Sequence, residues 1–62
     1  MNKDEIKIGM KIYIPIYNYK HKLIKIREGI ALYKGNNFVT VRTREGYSES
    51  FFYRDVRRTK EV

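Results

Sequence analysis

Apolar and polar residues alternate along the first third of this chain, and the alternation predicts a β-strand. Between residues 6 and 16 every second position is Ile or Met, a period of two that is typical of a strand with one buried face. Gly9 predicts the start of this strand or a bulge in it. Pro15 predicts that its far end lies at a sheet edge, because proline cannot donate a hydrogen bond to a neighbouring strand.

The alternation returns in residues 23–34 and predicts a long second strand. Gly29 follows Glu28, which interrupts the apolar face, and predicts a bulge or sharp bend of the kind that lets one strand serve two sheets of a small barrel. One face of this strand is predicted to carry Ile24, Ile26, Ile30 and Leu32, and the other to carry Lys25, Arg27, Ala31 and Tyr33.

Residues 30–52 predict three consecutive antiparallel strands joined by two tight turns. A two-residue turn at Gly35-Asn36, where positive φ is tolerated, pairs Tyr33 with Phe38 and Leu32 with Val39. This register is preferred because it collects the apolar residues on one face, whereas a turn at Asn36-Asn37 places Lys34 beside Val39.

The second turn is placed at Glu45-Gly46, which pairs Val39 with Phe52 and sets Arg42 opposite Glu49 in an outer ion pair. These two registers together sort the side chains into two faces. The predicted inner face is Ile30, Leu32, Val39, Val41 and Phe52, and the predicted outer face carries Tyr33, Phe38 and Phe51.

Shorter signals place the remaining segments. Asn2 and Glu5 have the spacing of a capping box, which predicts a short helical turn near the start. Residues 17–22 lack apolar alternation and predict an exposed loop. Residues 53–56 predict a 3₁₀ turn that places Val56 in the core, followed by a short last strand over 57–60 and frayed residues 61–62.

The segments that organise the chain, residues 8–12, 29–41 and 53–56, together resemble the SH3-like β-barrel and its KOW and Tudor-type relatives. The resemblance covers about residues 6–60 and implies an all-β, five-stranded SH3-like barrel that spans residues 1–62 as a single domain. The acidic loop and tryptophan of peptide-binding SH3 domains are missing, as is a full Tudor aromatic cage, so the resemblance implies a topology and no ligand. A five-stranded OB-fold is the alternative, although such barrels usually need more residues and a longer central connection.

Composition narrows the partners. The 14 Lys and Arg residues against 7 Asp and Glu give a net charge of +7, which favours polyanions such as nucleic acid. The alternative is that the charge only keeps a small β-protein soluble. Cysteine is absent, so disulfides and thiolate metal sites are excluded. No apolar run reaches the roughly 18 residues of a transmembrane helix, and the acidic Asp4-Glu5 start lacks the apolar core of a signal peptide. A cytoplasmic protein without membrane contact is therefore expected.

The predicted outer face combines aromatic rings with cations, and this combination suits nucleic acid because rings stack on bases while cations neutralise phosphates. A loop with two tyrosines and basic residues can add further contacts. The expected nucleic-acid-binding residues are Lys25, Arg27, Lys34 and Arg42 for phosphate, Tyr33, Phe38 and Phe51 for stacking, and Tyr17, Tyr19 and Lys20 from the loop.

Two alternatives stay open for the same aromatic surface. It can dock on another protein or a second copy of the chain, which would make the protein an adaptor or inhibitor. Frequent Ile, Lys, Tyr and Asn indicate an AT-rich genome, so such a protein could come from a phage, a mobile element or a low-GC bacterium. The rings can also be covered by another segment of the chain itself.

Residues that carry catalysis in other proteins are poorly placed in this sequence. His21 is the only histidine, and without cysteine or a nearby carboxylate it is a weak candidate for a metal ligand or a base. No enzyme activity, metal, cofactor or small-molecule substrate is therefore expected. A basic C-terminal cluster can contact phosphate or protect a sheet edge from aggregation, and comprises Arg54, Arg57, Arg58 and Lys60.

Overall fold

A computed structural model describes residues 1–60, and these residues confirm the prediction of an all-β protein. Four antiparallel strands form one sheet in the order β1-β2-β3-β4. Two short 3₁₀ turns precede and follow them, at Lys3–Glu5 and Tyr53–Asp55. The strands are β1 (Lys11–Tyr17), β2 (Leu23–Lys34), β3 (Phe38–Thr43) and β4 (Ser48–Phe52).

The predicted fifth strand over residues 57–60 is wrong, because only Arg57 pairs with β1. Its N–H donates to Tyr13 O at 2.7 Å and its carbonyl accepts from Tyr13 N at 2.9 Å. The charged run that follows has no apolar face to bury along β1, and Arg58 turns instead to Glu5 at 3.1 Å. Residues 1–60 thus form a four-stranded open sheet and not a closed five-stranded barrel. The predicted fraying of residues 61–62 lies outside the described residues.

The core lies under the inner face of the sheet. The alternation in β1 is confirmed at Ile12 and Ile14, which are buried, but the strand begins only at Lys11 because Gly9 turns the chain at φ 92. Pro15 lies in β1, an edge strand of the sheet, as predicted. The buried core residues are Ile6, Ile12, Ile14, Ala31, Val39, Val41 and Val56.

The predicted register between β2 and β3 is wrong, because the hairpin turns at Asn36-Asn37. The N–H of Gly35 donates to Phe38 O at 2.8 Å, and Lys34 pairs with Val39. A Cβ on Gly35 would lie 2.6 Å from the Phe38 ring, so a larger residue before the turn would require this ring to move.

A bulge at Leu32 then shifts the alternation of inner and outer side chains along β2 by one residue. Tyr33 pairs with Thr40 and Ala31 with Val41, so Leu32 has no partner across the strand pair. Ala31 therefore enters the core, whereas Leu32 and Ile30, both predicted to be buried, are exposed. The bulge predicted at Gly29 lies three residues further along the chain.

The predicted register between β3 and β4 is wrong by one residue. Gly46 has φ 99 and ends a three-residue loop, in which its N–H donates to Thr43 O at 2.9 Å. Glycine in the left-handed region is common at this position of three-residue hairpin loops. Val39 consequently pairs with Phe51, and Phe38 pairs with Phe52. The two phenylalanines of β4 thus exchange their predicted faces.

Both terminal turns follow the sequence prediction. Asn2 N donates to the Glu5 carboxylate at 2.8 Å, which completes half of a capping box. The 3₁₀ turn Tyr53–Asp55 is followed by Val56, which is fully buried as expected.

Replacing Tyr53 by phenylalanine is expected to destabilise the fold in a pH-dependent way. The Tyr53 hydroxyl donates to Gly35 O and so ties the second 3₁₀ turn to the β2–β3 hairpin. Burial raises the pKa of Tyr53, and the proximity of Tyr33 raises it further. A raised pKa in the folded state means that this contribution is complete below the ordinary tyrosine pKa of about 10 and is lost as pH rises through the folded value.

The measurement is urea unfolding of the wild type and Tyr53→Phe at neutral pH and above about pH 10. The wild type should be more stable at neutral pH, and the difference should shrink at high pH. Tyr47→Phe is the control, since Tyr47 is exposed. A difference that stays constant across this range would contradict the assigned role of the hydroxyl.

Candidate nucleic-acid interface

The side of the sheet that faces away from the core carries several exposed apolar side chains. The register fixes its members, because residues directly opposite each other in an antiparallel pair share a face. We call this side the outer face. It comprises Ile30, Leu32, Tyr33, Phe38 and Phe52, together with Lys11, Thr40, Arg42, Ser48 and Ser50.

The bulge of β2 is the reason that two consecutive residues join this face. A bulge inserts an extra residue into one strand, and here Leu32 is the extra residue between the pairs Ala31–Val41 and Tyr33–Thr40. Leu32 is 43% exposed and Tyr33 is 59% exposed. A regular strand would have turned one of them toward the core.

Three aromatic rings form one end of the outer face, which we call the aromatic end: Tyr33, Phe38 and Phe52. The Tyr33 and Phe38 centroids lie 6.1 Å apart at 40°. Phe38 pairs directly with Phe52, so the three rings come from three adjacent strands. The Arg54 guanidinium carbon lies 5.2 Å from the Phe52 centroid, within cation–π range.

The other end of the outer face is basic, and we call it the basic end. Ile30 pairs with Lys11 on one side and with Arg42 on the other, and both cations are exposed. A shallow groove of about 190 Å³ lies at this end. Its acidic side chain, Glu28, is 3.5 Å from Arg44, so the groove keeps an excess of positive charge.

A hydroxyl pair separates the two ends. Thr40 and Ser50 face each other across β3 and β4, and their hydroxyl oxygens lie 2.9 Å apart. Each hydroxyl can also bond a ligand, because a hydroxyl both donates and accepts hydrogen bonds.

Three of the predicted binding residues are turned away from the outer face. Arg27 pairs with Glu49 at 2.8 Å on the inner side, and its side chain is only 17% exposed. Burial lowers the pKa of Arg27, but the hydrogen bond and charge of Glu49 outweigh this and leave the pKa above its ordinary value. The predicted Arg42–Glu49 pair is therefore wrong, because Glu49 is committed to Arg27 and Arg42 faces Ser48.

The other two predicted binding residues that are turned away from the outer face are Lys34 and Phe51. The Lys34 ammonium donates to Ile6 O at 2.8 Å, so it secures the N-terminal segment and is not directed at the outer face. Phe51 packs against the core, and its place on the outer face is taken by Phe52. Of the predicted outer-face residues, Tyr33, Phe38 and Arg42 do lie on the outer face, with the two rings at one end and Arg42 at the other.

The loop residues and Lys25 lie elsewhere. Tyr17 is the last residue of β1 and not part of the loop as predicted, whereas Tyr19 and Lys20 lie in the connection between β1 and β2. All three lie at the opposite end of that hairpin from Lys11. The loop has its own order, because the Asn18 side chain accepts from the backbone N–H of residues 20 and 22 at 2.8 and 3.0 Å. Lys25 is exposed beside a separate groove of about 490 Å³.

Several outer-face residues were missed by sequence reasoning: Lys11, Ile30, Leu32 and Phe52. Arg54, which lies beside Phe52, was expected only as part of the basic C-terminal cluster. Gly46 is the signal that could have found Phe52, because a glycine third in a hairpin loop favours a three-residue loop and shifts the register by one. The bulge at Leu32 has no comparable signature in the sequence.

Other kinds of site are not evident in the described part of the chain. Within residues 1–60 no group of three His, Asp or Glu side chains is arranged to hold a metal ion. The same residues contain no helix that is long and apolar enough to cross a membrane. The outer face is therefore the feature from which a function can be argued.

Comparisons with known proteins give no assignment. No family model matches the chain, and no curated protein or solved structure matches it. Function must be inferred from the geometry of the outer face.

Proposed function

We propose that this protein is a non-enzymatic nucleic-acid-binding module and that the outer face is its binding surface. The observation that carries the proposal is the aromatic end, where three rings from adjacent strands are exposed beside Arg54. Aromatic side chains on an open sheet stack on bases, typically for about 1–3 kcal/mol per base, and nearby cations bind phosphates.

The proposed roles follow from exposure. Tyr33 and Phe52 are the more exposed rings of the aromatic end and stack on bases. Phe38 is less exposed and lies between them, where it supports Tyr33 and Phe52 and offers its remaining surface. Arg54 and Arg42 contact phosphates at the two ends of the face.

Charge supports this assignment over a purely apolar ligand. The chain carries a net charge of +7, and Lys11 and Arg42 lie on the outer face itself. Ring faces and phosphates are common to every nucleotide, so contacts of this kind give little sequence specificity. The module is therefore proposed to bind nucleic acid largely through its backbone and its exposed base faces.

Fluorescence anisotropy with a labelled oligonucleotide tests the proposal. Binding is expected at low salt and should weaken steadily as salt rises between about 50 and 200 mM, because bound cations release counterions from phosphates. Undetectable binding of both single-stranded and duplex probes at low salt would refute the proposed function.

Docking on another protein is the second candidate, and a specific observation favours it. Ile30 and Leu32 are exposed on the same face, and aliphatic side chains offer no ring for base stacking. Exposed apolar patches of this kind often bind proteins. If this candidate is correct, light scattering at two concentrations will show self-association, or a Phe52 variant will lose a protein partner while nucleic-acid binding is unchanged.

Kinship with SH3-like proteins stays a separate hypothesis. The long second strand and the 3₁₀ turn before Val56 are compatible with it. The proposed function rests on the outer face and is independent of that kinship.

A further inference from the structure

We infer that the ligand is a single-stranded nucleic acid that lies along β3. Its bases stack on the aromatic end, and the phosphates of the following nucleotides lie at the basic end. The inference rests on the proposed function and specifies the ligand class and its layout. It is based on the separation of rings and free cations along the outer face, which β3 connects directly.

The length of the site follows from strand geometry. Phe38, Thr40 and Arg42 occupy alternate positions of β3 and share the outer face. Four residues of extended strand place Phe38 and Arg42 about 13 Å apart. At roughly 3.4 Å per nucleotide of a stacked strand, this distance accommodates about four nucleotides.

The middle of the site is suited to a sugar-phosphate backbone that passes over it. Thr40 and Ser50 present hydroxyls there, and Leu32 provides an apolar surface for a sugar or a base edge. No large side chain of β3 or β4 blocks the line between the two ends, since β4 contributes Ser48 and Ser50 beside Thr40 and Arg42.

The basic end is suited to a phosphate. Lys11 and Arg42 flank Ile30 at the groove of about 190 Å³, and Glu28 in that groove is paired with Arg44. A phosphate there can contact both cations, since arginine offers a planar fork and lysine a compact charge.

A single strand fits this arrangement better than a duplex. Stacking on Tyr33 and Phe52 requires bases with an exposed face, and internal base pairs of a duplex stack on one another. The cations are also few and lie at the two ends, so the face lacks the long basic stripe that tracks a duplex backbone. With Lys11, Arg42 and Arg54 as three phosphate contacts, the expected slope of log affinity against log salt is about −2.

The test measures affinities of oligothymidylates of about two, four and eight nucleotides by anisotropy, for the wild type, Arg42→Gln and Lys20→Gln. Lys20→Gln is the charge-matched control, because Lys20 lies at the far end of the β1–β2 hairpin. Wild-type affinity should rise from two to four nucleotides and then level off. Arg42→Gln should weaken the four-nucleotide ligand roughly fivefold, lower the salt slope by about 0.7 and leave the two-nucleotide ligand nearly unchanged. Lys20→Gln should behave as the wild type.

Three results would overturn the inference while the proposed function stands. In the first, Arg42→Gln weakens binding of the two- and four-nucleotide ligands equally. In the second, affinity keeps rising beyond four nucleotides by more than the added number of binding registers explains. In the third, a duplex binds as tightly as the single strand. Absence of binding at every length would instead overturn the proposed function. A fourth result, equal weakening of binding by Arg42→Gln and Lys20→Gln, would show that attraction depends on net charge alone and that the layout is wrong.

Discussion

The substitution Gly29→Ala is expected to remove a large part of the stability of this protein. A Cβ on Gly29 would lie 2.3 Å from Val41 Cγ1 and 2.5 Å from the Arg42 carbonyl oxygen. A side chain could shift, but the carbonyl belongs to the neighbouring strand, so β3 itself would have to move. Overpacking typically costs about 1–3 kcal/mol and sometimes more. A domain of this size has roughly 3–5 kcal/mol in total.

Urea unfolding monitored by far-UV circular dichroism measures this effect, and Gly46→Ala is the matched control. Gly46 has φ 99 but open space around the Cβ position, so alanine there carries the left-handed backbone cost of about 1–2 kcal/mol without a clash. Gly29→Ala should lose clearly more stability than Gly46→Ala. Equal losses would show that β2 and β3 can separate easily and that the close approach does not limit the residue at position 29.

A double variant, Tyr33→Leu with Phe52→Leu, is expected to bind single-stranded nucleic acid at least about 30-fold more weakly than the wild type. Each ring is worth about 1–3 kcal/mol when it stacks on a base. Both side chains are more than half exposed, so their removal should leave the fold intact. The net charge is also unchanged, which isolates stacking from electrostatic attraction.

The matched control removes two exposed tyrosines that lie off the outer face, Tyr19→Leu with Tyr47→Leu. This variant loses the same number of rings and should bind as the wild type. Anisotropy at fixed salt provides the affinities, and thermal unfolding verifies that both variants are folded. Equal loss in the two variants would exclude a dedicated aromatic site. If the double variant Tyr33→Leu with Phe52→Leu keeps the wild-type affinity, the aromatic end does not bind nucleic acid and is assigned to a protein partner instead.

The strands of this fold could be predicted from the sequence, but their pairing could not. Alternation in residues 11–17 is sufficient to identify β1 because a strand with one buried face has a period of two. Register depends on how each hairpin turns, and a change of one residue exchanges inner and outer faces. Gly46 forms a three-residue loop where two residues were expected, so Phe52 is exposed and Phe51 is packed.

The bulge at Leu32 limits prediction for a different reason. A burial criterion prefers the register that hides Leu32 and Ile30, whereas the structure buries the smaller Ala31 opposite Val41. Close approach of β3 at Gly29 leaves little room for a larger residue on that face of β2. Tertiary packing therefore outweighs the local pattern. An exposed aromatic face is present as predicted, but Phe52 and not Phe51 belongs to it.

Because a single bridge joins Tyr13 to Arg57, this part of the molecule is expected to be less protected from amide hydrogen exchange than the centre of the sheet. Two backbone hydrogen bonds hold the segment after Val56 to β1, whereas β2 and β3 pair along five positions. Rupture of the bridge exposes the Tyr13 amide and the edge of β1 without disturbing the meander that presents the aromatic end. Amide exchange at Tyr13 and Arg57 should therefore proceed through a local opening of low free energy, whereas the amides at the centre of β3 exchange only when the whole sheet unfolds.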